Sequence, residues 1–178
     1  MQLQQSKVTY DIGQLKPITT MQGFDVHFNK IYKGYVDDFN EGRGDIPFNK
    51  AGAHLHGLYF ENLAEYKRQG LYGPAAELIE LRYGTPKNFV QTYIDTVNKL
   101  QGSGWVFMNT AGYWNIIPNN RIVDNIALVI DFWEHSYYPN FGNDREAYAR
   151  MSLDCINWEV VNKRIIAFKE KKKEKVAA

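Results

Sequence analysis

The sequence predicts an α+β fold, in which an N-terminal α-helical hairpin precedes an α+β domain with a three-stranded antiparallel sheet. Apolar side chains recur at helical spacing through the first half of the 178 residues. Short segments rich in β-branched and aromatic residues follow, separated by turn-forming residues. The chain then returns to helical periodicity. This order predicts two domains, residues 1-70 for the hairpin and residues 71-178 for the α+β part.

The composition limits the binding partners and the cellular compartment that we expect for the protein. The formal net charge of +1 argues against nucleic acid or a membrane as the main partner. The lysine-rich stretch KEKKKEKVAA is interpreted as a solvated helix end. Cys155 is the single cysteine, so no internal disulfide can form and a reducing compartment is favoured. The longest apolar run, Ile126 to Ile130, is too short to span a bilayer, and we expect a soluble cytoplasmic protein.

The helical hairpin is predicted from an apolar stripe and a break. Its first helix runs from Met21 to Asn40, because apolar side chains recur there at helical spacing, namely Phe24, Phe28, Ile31, Tyr35 and Phe39. The stretch EGRGDIP then stops the helix with two glycines and a proline. A second helix is predicted to begin near Phe48, with its apolar side chains again on one side.

The rest of the chain is predicted to run through helices, a sheet and helices again. YGPAAELIELRYG predicts a short helix, and TPKNFVQTYIDTVNKLQG a longer one that Thr85 caps before Pro86 at its first position. GWVFMNT, YWNIIP and NIALVID predict three strands, separated by the turn formers TAG and PNNR. DREAYARMSL and NWEVVNKRIIAFKEKKK predict the terminal helices.

The stretch DFWEHSYYP carries the first candidate for chemistry. Asp131 directly follows a strand expected to be buried, where a carboxylate needs a cation, a hydrogen-bond donor or a metal ion. His135 lies four residues later, so the pair can supply one oxygen and one nitrogen to the same ion. A simple hydrogen bond between Asp131 and His135 explains the pattern equally well, and both interpretations remain open at this point.

Further histidines are placed to join this pair. His27 lies beside the apolar stripe of the first helix, and Tyr35 follows two turns later on nearly the same face. Taken singly, a histidine such as His27 is more often a core residue than a ligand. His54 and His56 lie on the facing helix, and either could meet His27 across the hairpin. Three nitrogens and one carboxylate with an open position would suit iron or manganese redox chemistry better than structural zinc.

Segments in the same order along almost the whole chain resemble the iron/manganese superoxide dismutases. DFWEHSYY resembles the family signature DxWEHxYY, and GSGWVF resembles its GSGW segment. YDIGQLKPITTMQGFDVHFNKIYKGYV resembles the N-terminal pattern, FNKAGAHLHGLYFENL the second-helix segment and INWEVV the last helix. The family fold, a helical hairpin followed by an α+β domain, agrees with the elements predicted above.

The resemblance implies a metal site and an activity. The metal ligands would be His27, His56, Asp131 and His135, which would hold one iron or manganese ion per subunit. The implied activity is a metal-dependent ping-pong conversion of superoxide to oxygen and hydrogen peroxide, so the chain would be an antioxidant oxidoreductase. Two alternatives remain: a metal-binding homologue with weak or altered redox activity, and a structural or assembly protein that retains the fold.

The resemblance also assigns roles around the metal. Trp133 and Trp105 would shield the site from water and set its redox environment. Tyr35 would stand at the mouth of the substrate channel. Arg145 is a candidate for the basic residue near that channel, whereas Lys30, on a polar helix face, is better explained by solvation.

A homodimer is implied as well. Glu134 would bond the partner subunit's His135 across a two-fold axis, which makes the interface isologous. One residue departs from the family pattern in this region, because the histidine expected four residues after His27 is Ile31. Tyr138 would lose that histidine as its partner across the dimer, and a route for protons with it.

A second departure concerns the glutamine that bonds the metal-bound solvent in the family. The position used by typical iron enzymes holds Gly52, and the position used by typical manganese enzymes holds Asn120, whose side chain is one methylene shorter. This layout slightly favours manganese. Whether Asn120, Asn119 or His54 takes the glutamine's role remains open in the sequence.

Overall fold

The N-terminal part is a helical hairpin. A computed structural model describes residues 2–67 and 70–177. A short 3₁₀ turn, Ile12–Leu15, leads into helix α1, which consists of three consecutive segments, Met21–Asp25, Val26–Tyr32 and Lys33–Asn40. Helix α2 spans Ile46–Glu61. The predicted hairpin is therefore present.

Local side chains set the ends of both helices. The Thr20 hydroxyl accepts a hydrogen bond from the Gly23 amide at 3.0 Å where α1 begins. The Asp45 carboxylate accepts one from the Phe48 amide at 2.9 Å, and Pro47 fits the first turn of α2. Because Asp45 caps the helix, α2 begins at Ile46, two residues before the predicted start.

The middle of α1 is π-helical, which changes its buried face. The π segment Val26–Tyr32 forms hydrogen bonds over five residues instead of four, so it shifts the residues after it around the axis. The buried residues of α1 are Phe24, His27, Tyr32 and Val36. Phe28, Ile31, Tyr35 and Phe39 of the predicted apolar stripe are half-buried, and Tyr32, which was not part of that stripe, lies in the core.

The remaining helices and strands follow the predicted order, with one addition. Their bounds are α3 Gly73–Tyr83, α4 Pro86–Lys99, β1 Gly104–Asn109, β2 Trp114–Pro118, β3 Ile126–Asp131, α5 Glu134–Phe141, α6 Arg145–Leu153 and α7 Trp158–Ala177. The sequence did not predict α5, whose aromatic residues and internal Pro139 obscure a helical pattern. The predicted fold class is confirmed.

The sheet is antiparallel, with the strand order β2-β1-β3. Every residue of β3 is buried, and α2 and α7 pack against this strand. The register places Trp105 of β1 directly opposite Asp131, the last residue of β3. One apolar core runs from the hairpin into the sheet and its helices, so the division at residue 70 remains a prediction. Within residues 2–67 and 70–177, no helix is both long and apolar enough to cross a membrane.

Candidate metal centre

Four side chains direct one donor atom each to a common point. The donors are the Nε2 atoms of His27, His56 and His135 and the Oδ2 atom of Asp131, and all lie within 4.8 Å of one another. The Nε2 atoms lie 3.1, 3.6 and 3.3 Å from Asp131 Oδ2, respectively. The four residues proposed as ligands from the sequence thus form one cluster in the structure.

Four different elements supply these side chains. His27 lies in the π-helical segment of α1, and His56 lies in the facing helix α2. Asp131 ends the buried strand β3, and His135 lies in the first turn of α5. The helix α5 begins three residues after β3 ends, and this turn brings His135 back over Asp131.

Hydrogen bonds orient two of the four groups. The Nδ1–H of His56 donates to the Gly52 carbonyl at 2.7 Å, which leaves the Nε2 lone pair of His56 free to bind a metal. The Trp133 amide donates to Asp131 Oδ1 at 2.7 Å, so Oδ2 faces the histidines. Each of these two bonds orients one ligand atom toward the centre of the cluster.

The protonation states of the cluster suit metal binding. Burial lowers the pKa of His27 and lowers that of His56 to about 3, so both imidazoles are neutral. Burial acts to raise the pKa of Asp131, but His135 and His27 outweigh it and hold that pKa well below its usual value. Neutral imidazoles and an ionised carboxylate are the forms in which these groups bind metals.

The four buried donor atoms have no other partner among the described residues, as expected of atoms that bind a metal ion. The three Nε2 atoms and Asp131 Oδ2 are inaccessible to solvent and form no hydrogen bond with any part of the chain that the structure describes. Leaving four polar atoms unsatisfied is costly, and a cation between them would satisfy all four. A donor set of three nitrogens and one oxygen suits iron or manganese.

Aromatic rings enclose the cluster. The ring of Trp105 lies 4.9 Å from that of His56, and the ring of Trp133 lies 6.2 Å from that of His135. On the hairpin side, Phe60 contacts His27 at 4.9 Å between ring centroids. These rings pack against three of the four candidate ligand side chains.

The remaining side of the cluster holds Tyr35 and Asn120. The Tyr35 ring lies 5.2 Å from that of His56 and is half-buried. Asn120 is buried, accepts a hydrogen bond from Trp105 Nε1 at 3.0 Å, and has no partner for its Nδ2 atom among the described residues. Burial raises the pKa of the Tyr35 hydroxyl, and the nearby Asn120 amide opposes this shift.

Burial distinguishes the three residues that the sequence left open for the glutamine's role. Asn119 and His54 are exposed, and His54 lines a surface cavity with Leu3 and Ser6 of the N-terminal segment. Asn119 has a positive φ of 57° directly after β2, and this turn is followed by the inward-facing Asn120. Of the three, only Asn120 is buried, where it bonds Trp105.

The other predicted site residues lie outside this cluster. The Arg145 guanidinium packs over the rings of Phe132 and Tyr137 at 5.6 and 5.8 Å and donates to the Leu100 carbonyl at 3.1 Å. Two of its nitrogens, Nε and Nη2, are buried without a hydrogen-bond partner in the described chain. Lys30 and Glu134 are exposed.

Sequence reasoning missed a tyrosine that supports a ligand. The Tyr32 ring stacks on the His56 ring at 5.7 Å, with 13° between the ring planes. The Ser6 amide donates to the Tyr32 hydroxyl at 2.9 Å and fixes the ring from the other end. A helical pattern with a uniform period cannot predict this contact, because the π segment brings Tyr32 inward.

Sequence comparisons agree on one family. The family described as iron/manganese superoxide dismutases, C-terminal domain, matches residues 72–164. A superoxide dismutase [Fe] of Sulfolobus acidocaldarius is 30% identical, with 89% of this chain and 91% of the relative covered. The superoxide dismutase [Fe] of Saccharolobus solfataricus is 31% identical, with 88% of this chain and 90% of the relative covered. A superoxide dismutase [Mn] of Chlamydia muridarum is 28% identical, with 88% of this chain and 92% of the relative covered.

Proposed function

The chain belongs to the iron/manganese superoxide dismutase family, and we propose that it binds one iron or manganese ion and converts superoxide to oxygen and hydrogen peroxide. The observation that carries this function is the convergence of four buried donor atoms without hydrogen-bond partners in the described chain. The alternatives of a structural protein or a homologue with altered chemistry are not favoured, because the relatives matched over most of the chain are superoxide dismutases.

The reaction needs one-electron chemistry and two protons. Two superoxide anions and two protons give one dioxygen and one hydrogen peroxide. A bound iron or manganese ion would supply reversible one-electron transfer between its divalent and trivalent states. His27, His56, Asp131 and His135 would hold this ion.

Tyr35 and Asn120 are the groups placed to handle the substrate. Burial raises the pKa of the Tyr35 hydroxyl, so at neutral pH it keeps its proton and can donate a hydrogen bond to a small anion. The unpartnered Nδ2 of Asn120 offers a second donor. Trp105 orients that donor by binding the other end of the amide.

The choice between iron and manganese rests on Gly52 and Asn120. Gly52 leaves no side chain on α2 to meet the solvent near the metal, whereas Asn120 supplies an amide from the end of the sheet. This layout slightly favours manganese by the resemblance described above. Relatives of both kinds are similar to this chain, so separate reconstitution with each metal decides the point.

The functional unit in this proposal is a homodimer. Glu134 is exposed directly before His135, and the His135 side chain retains 21% of its accessible surface. This exposure allows Glu134 to bond the partner subunit's His135. Glu134→Gln should weaken the dimer in sedimentation equilibrium, whereas the exposed Glu77 on α3 provides a matched control in Glu77→Gln. Equal dissociation constants for both variants would contradict the interface.

The cytoplasm remains the proposed location. The single cysteine, Cys155, is buried and free, so the fold does not depend on an oxidising compartment. Fractionation of the native source, with activity measured in each fraction, tests this assignment.

Two histidine variants on the hairpin test the proposed function. His27→Ala should remove the bound metal and the dismutase activity together, because one of four donors is lost. His54→Ala should retain both, since His54 is exposed and lies outside the donor cluster. Metal content by mass spectrometry and superoxide decay are measured in the same samples. An active His27→Ala variant with its metal bound would overturn the proposal.

A further inference from the structure

Residues 3–6, which we call the N-terminal strap, are bound by hydrogen bonds along helix α1. The Leu3 amide donates to Asn40 Oδ1 at 2.8 Å, and Asn40 Nδ2 donates back to the Leu3 carbonyl at 2.9 Å. Gln5 Nε2 donates to the Phe28 carbonyl at 2.8 Å. Phe28 belongs to the π-helical segment that also carries the candidate ligand His27. The strap is therefore attached to the part of the hairpin that carries the candidate metal site.

The strap continues into a reciprocal pair of hydrogen bonds between Ser6 and Tyr32. The Ser6 amide donates to the Tyr32 hydroxyl at 2.9 Å, and the two hydroxyl oxygens lie 3.3 Å apart. The Ser6 hydroxyl lies 3.1 Å from Glu61 Oε1, and Glu61 Oε2 binds Arg164 at 3.0 Å. When Tyr32 donates to Ser6 and Ser6 donates to Glu61, each hydroxyl proton is used once. This order anchors the Tyr32 hydroxyl as both acceptor and donor.

Gly57 allows this pair to lie directly against helix α2. A Cβ atom at Gly57 would lie 3.0 Å from the Tyr32 hydroxyl oxygen and 3.2 Å from Ser6 Oγ. The Ser6 hydroxyl also lies 3.3 Å from the Gly57 carbonyl. Because Gly57 directly follows His56, the strap meets α2 at the helical turn that presents this candidate ligand.

The Tyr32 ring connects the strap with the imidazole of His56. The two rings stack at 5.7 Å between centroids, with 13° between their planes, and both side chains are buried. The hydrogen bond from His56 Nδ1 to the Gly52 carbonyl holds one ring atom of the imidazole. The stacked Tyr32 ring restricts the tilt of the imidazole plane. Both contacts together set the direction in which His56 Nε2 points.

We propose that Ser6 and Tyr32 are positioning residues that hold the His56 ring in the orientation in which its Nε2 atom binds the metal ion. This inference rests on the proposed function, because it assigns a role to residues that act on a ligand of the same site. Neither residue contributes a donor atom to the cluster. Groups that orient metal ligands commonly change metal affinity when they are removed.

Tyr32→Phe tests this role, because it keeps the ring and removes only the hydroxyl that the strap holds. The dissociation constant for Mn²⁺, measured by competition with a chelator, should rise about two- to tenfold, the equivalent of one net hydrogen bond. Tyr83→Phe is the matched control, since the Tyr83 hydroxyl donates to the Gly112 carbonyl at 2.7 Å and its ring packs on Phe89, outside the donor cluster. The control should keep the Mn²⁺ affinity of the unmodified protein.

Ser6→Ala tests whether the strap acts through Tyr32. This variant keeps the backbone donor to Tyr32 but removes the hydroxyl acceptor, so the dissociation constant for Mn²⁺ should rise less than in Tyr32→Phe. The two substitutions combined should give the same dissociation constant as Tyr32→Phe alone, because the hydroxyl on which Ser6 acts is already gone. Additive effects on the Mn²⁺ affinity would contradict a path through Tyr32.

The metal-free protein separates this inference from the proposed function. Tyr32→Phe should shift the NMR resonances of the His56 ring protons, because shielding by a stacked ring changes with the position of that ring, whereas Tyr83→Phe should leave them in place. Absence of dismutation by the unmodified protein loaded with metal would contradict only the proposed function. The positioning role would be overturned by equal Mn²⁺ affinities of Tyr32→Phe and Tyr83→Phe, or by unmoved His56 resonances in Tyr32→Phe.

Discussion

Gly52 and Tyr35 lie so close that no side chain fits between them. A Cβ atom at Gly52 would lie 2.7 Å from two carbons of the Tyr35 ring and 2.9 Å from Asn120 Nδ2. The Gly52 carbonyl, on the same residue, accepts the hydrogen bond that orients His56. A glycine is therefore required where these groups meet, and the positions of Tyr35 and Asn120 depend on it.

Gly52→Ala should move Tyr35 or Asn120 and lower the free energy of unfolding. The overpacking of a buried position by one methyl group costs about 1–3 kcal/mol. Gly34→Ala is the matched control in the neighbouring helix, because a Cβ there meets nothing within 4 Å. The control should be neutral or stabilising by about 0.5–1 kcal/mol. Urea unfolding followed by circular dichroism measures both, and equal stabilities would contradict the close contact.

Asn120→Leu should destabilise the protein without displacing the metal. The nearly isosteric leucine leaves Trp105 Nε1 buried without an acceptor, which costs about 1–3 kcal/mol. Metal content should stay unchanged, because Asn120 contributes no donor to the cluster, while dismutation should slow. In a Trp105→Phe background the same substitution should cost less, since the buried donor is gone. Equal costs in the two backgrounds would show that this hydrogen bond contributes nothing.

Arg164→Met should lower the free energy of unfolding, because Arg164 of α7 binds groups of the hairpin and of β3. The Arg164 guanidinium donates to the carbonyls of Leu58 and Ala127 at 3.0 and 3.2 Å and binds Glu61 at 3.0 Å. Removing these donors from a largely buried position should cost about 2–4 kcal/mol.

The exposed pair of Arg150 and Glu146 provides the control for this position. Arg150→Met removes a salt bridge whose side chains are about half exposed, at 49% and 48%, so it should change stability by less than about 0.5 kcal/mol. Thermal and urea unfolding of both variants give the comparison. Similar losses for Arg164→Met and Arg150→Met would mean that the buried contacts do not stabilise the fold.

Cys155 should be inert in the folded protein. Burial raises the pKa of its thiol to about 12, and the side chain has no accessible surface. The thiolate that reacts with iodoacetamide is therefore absent at pH 8, whereas in the unfolded chain the pKa returns to about 8.5. Mass spectrometry should find no alkylation under native conditions and one alkylated site in denaturant. Stoichiometric alkylation of the native protein would contradict this burial.

The sequence predicted the elements whose pattern is set by local rules. The strands of the sheet alternate with clear turn formers, and Thr85 caps its helix as predicted, accepting from the Asn88 amide at 3.2 Å. His27, His56, Asp131 and His135 could be grouped because their motifs resemble one family. Their convergence in space required the fold.

Other features could not be predicted, because they depend on backbone conformations that a uniform helical or strand period does not describe. Tyr32 is buried within the π segment, and no property of its side chain signals this position. The burial of Asn120 but not of Asn119 accompanies a turn after β2 in which Asn119 has a positive φ of 57°. Helix α5 was missed because Pro139 lies within it.

Superoxide dismutation by the purified protein, reconstituted separately with iron and manganese, tests the central claim most directly. Bound metal is quantified in the same samples. We expect about one metal ion per chain and rapid dismutation, with His54→Ala as active as the unmodified protein and His27→Ala lacking both metal and activity. Stoichiometric binding of either metal without dismutation would contradict the proposed function, and failure to bind either metal would contradict the site itself.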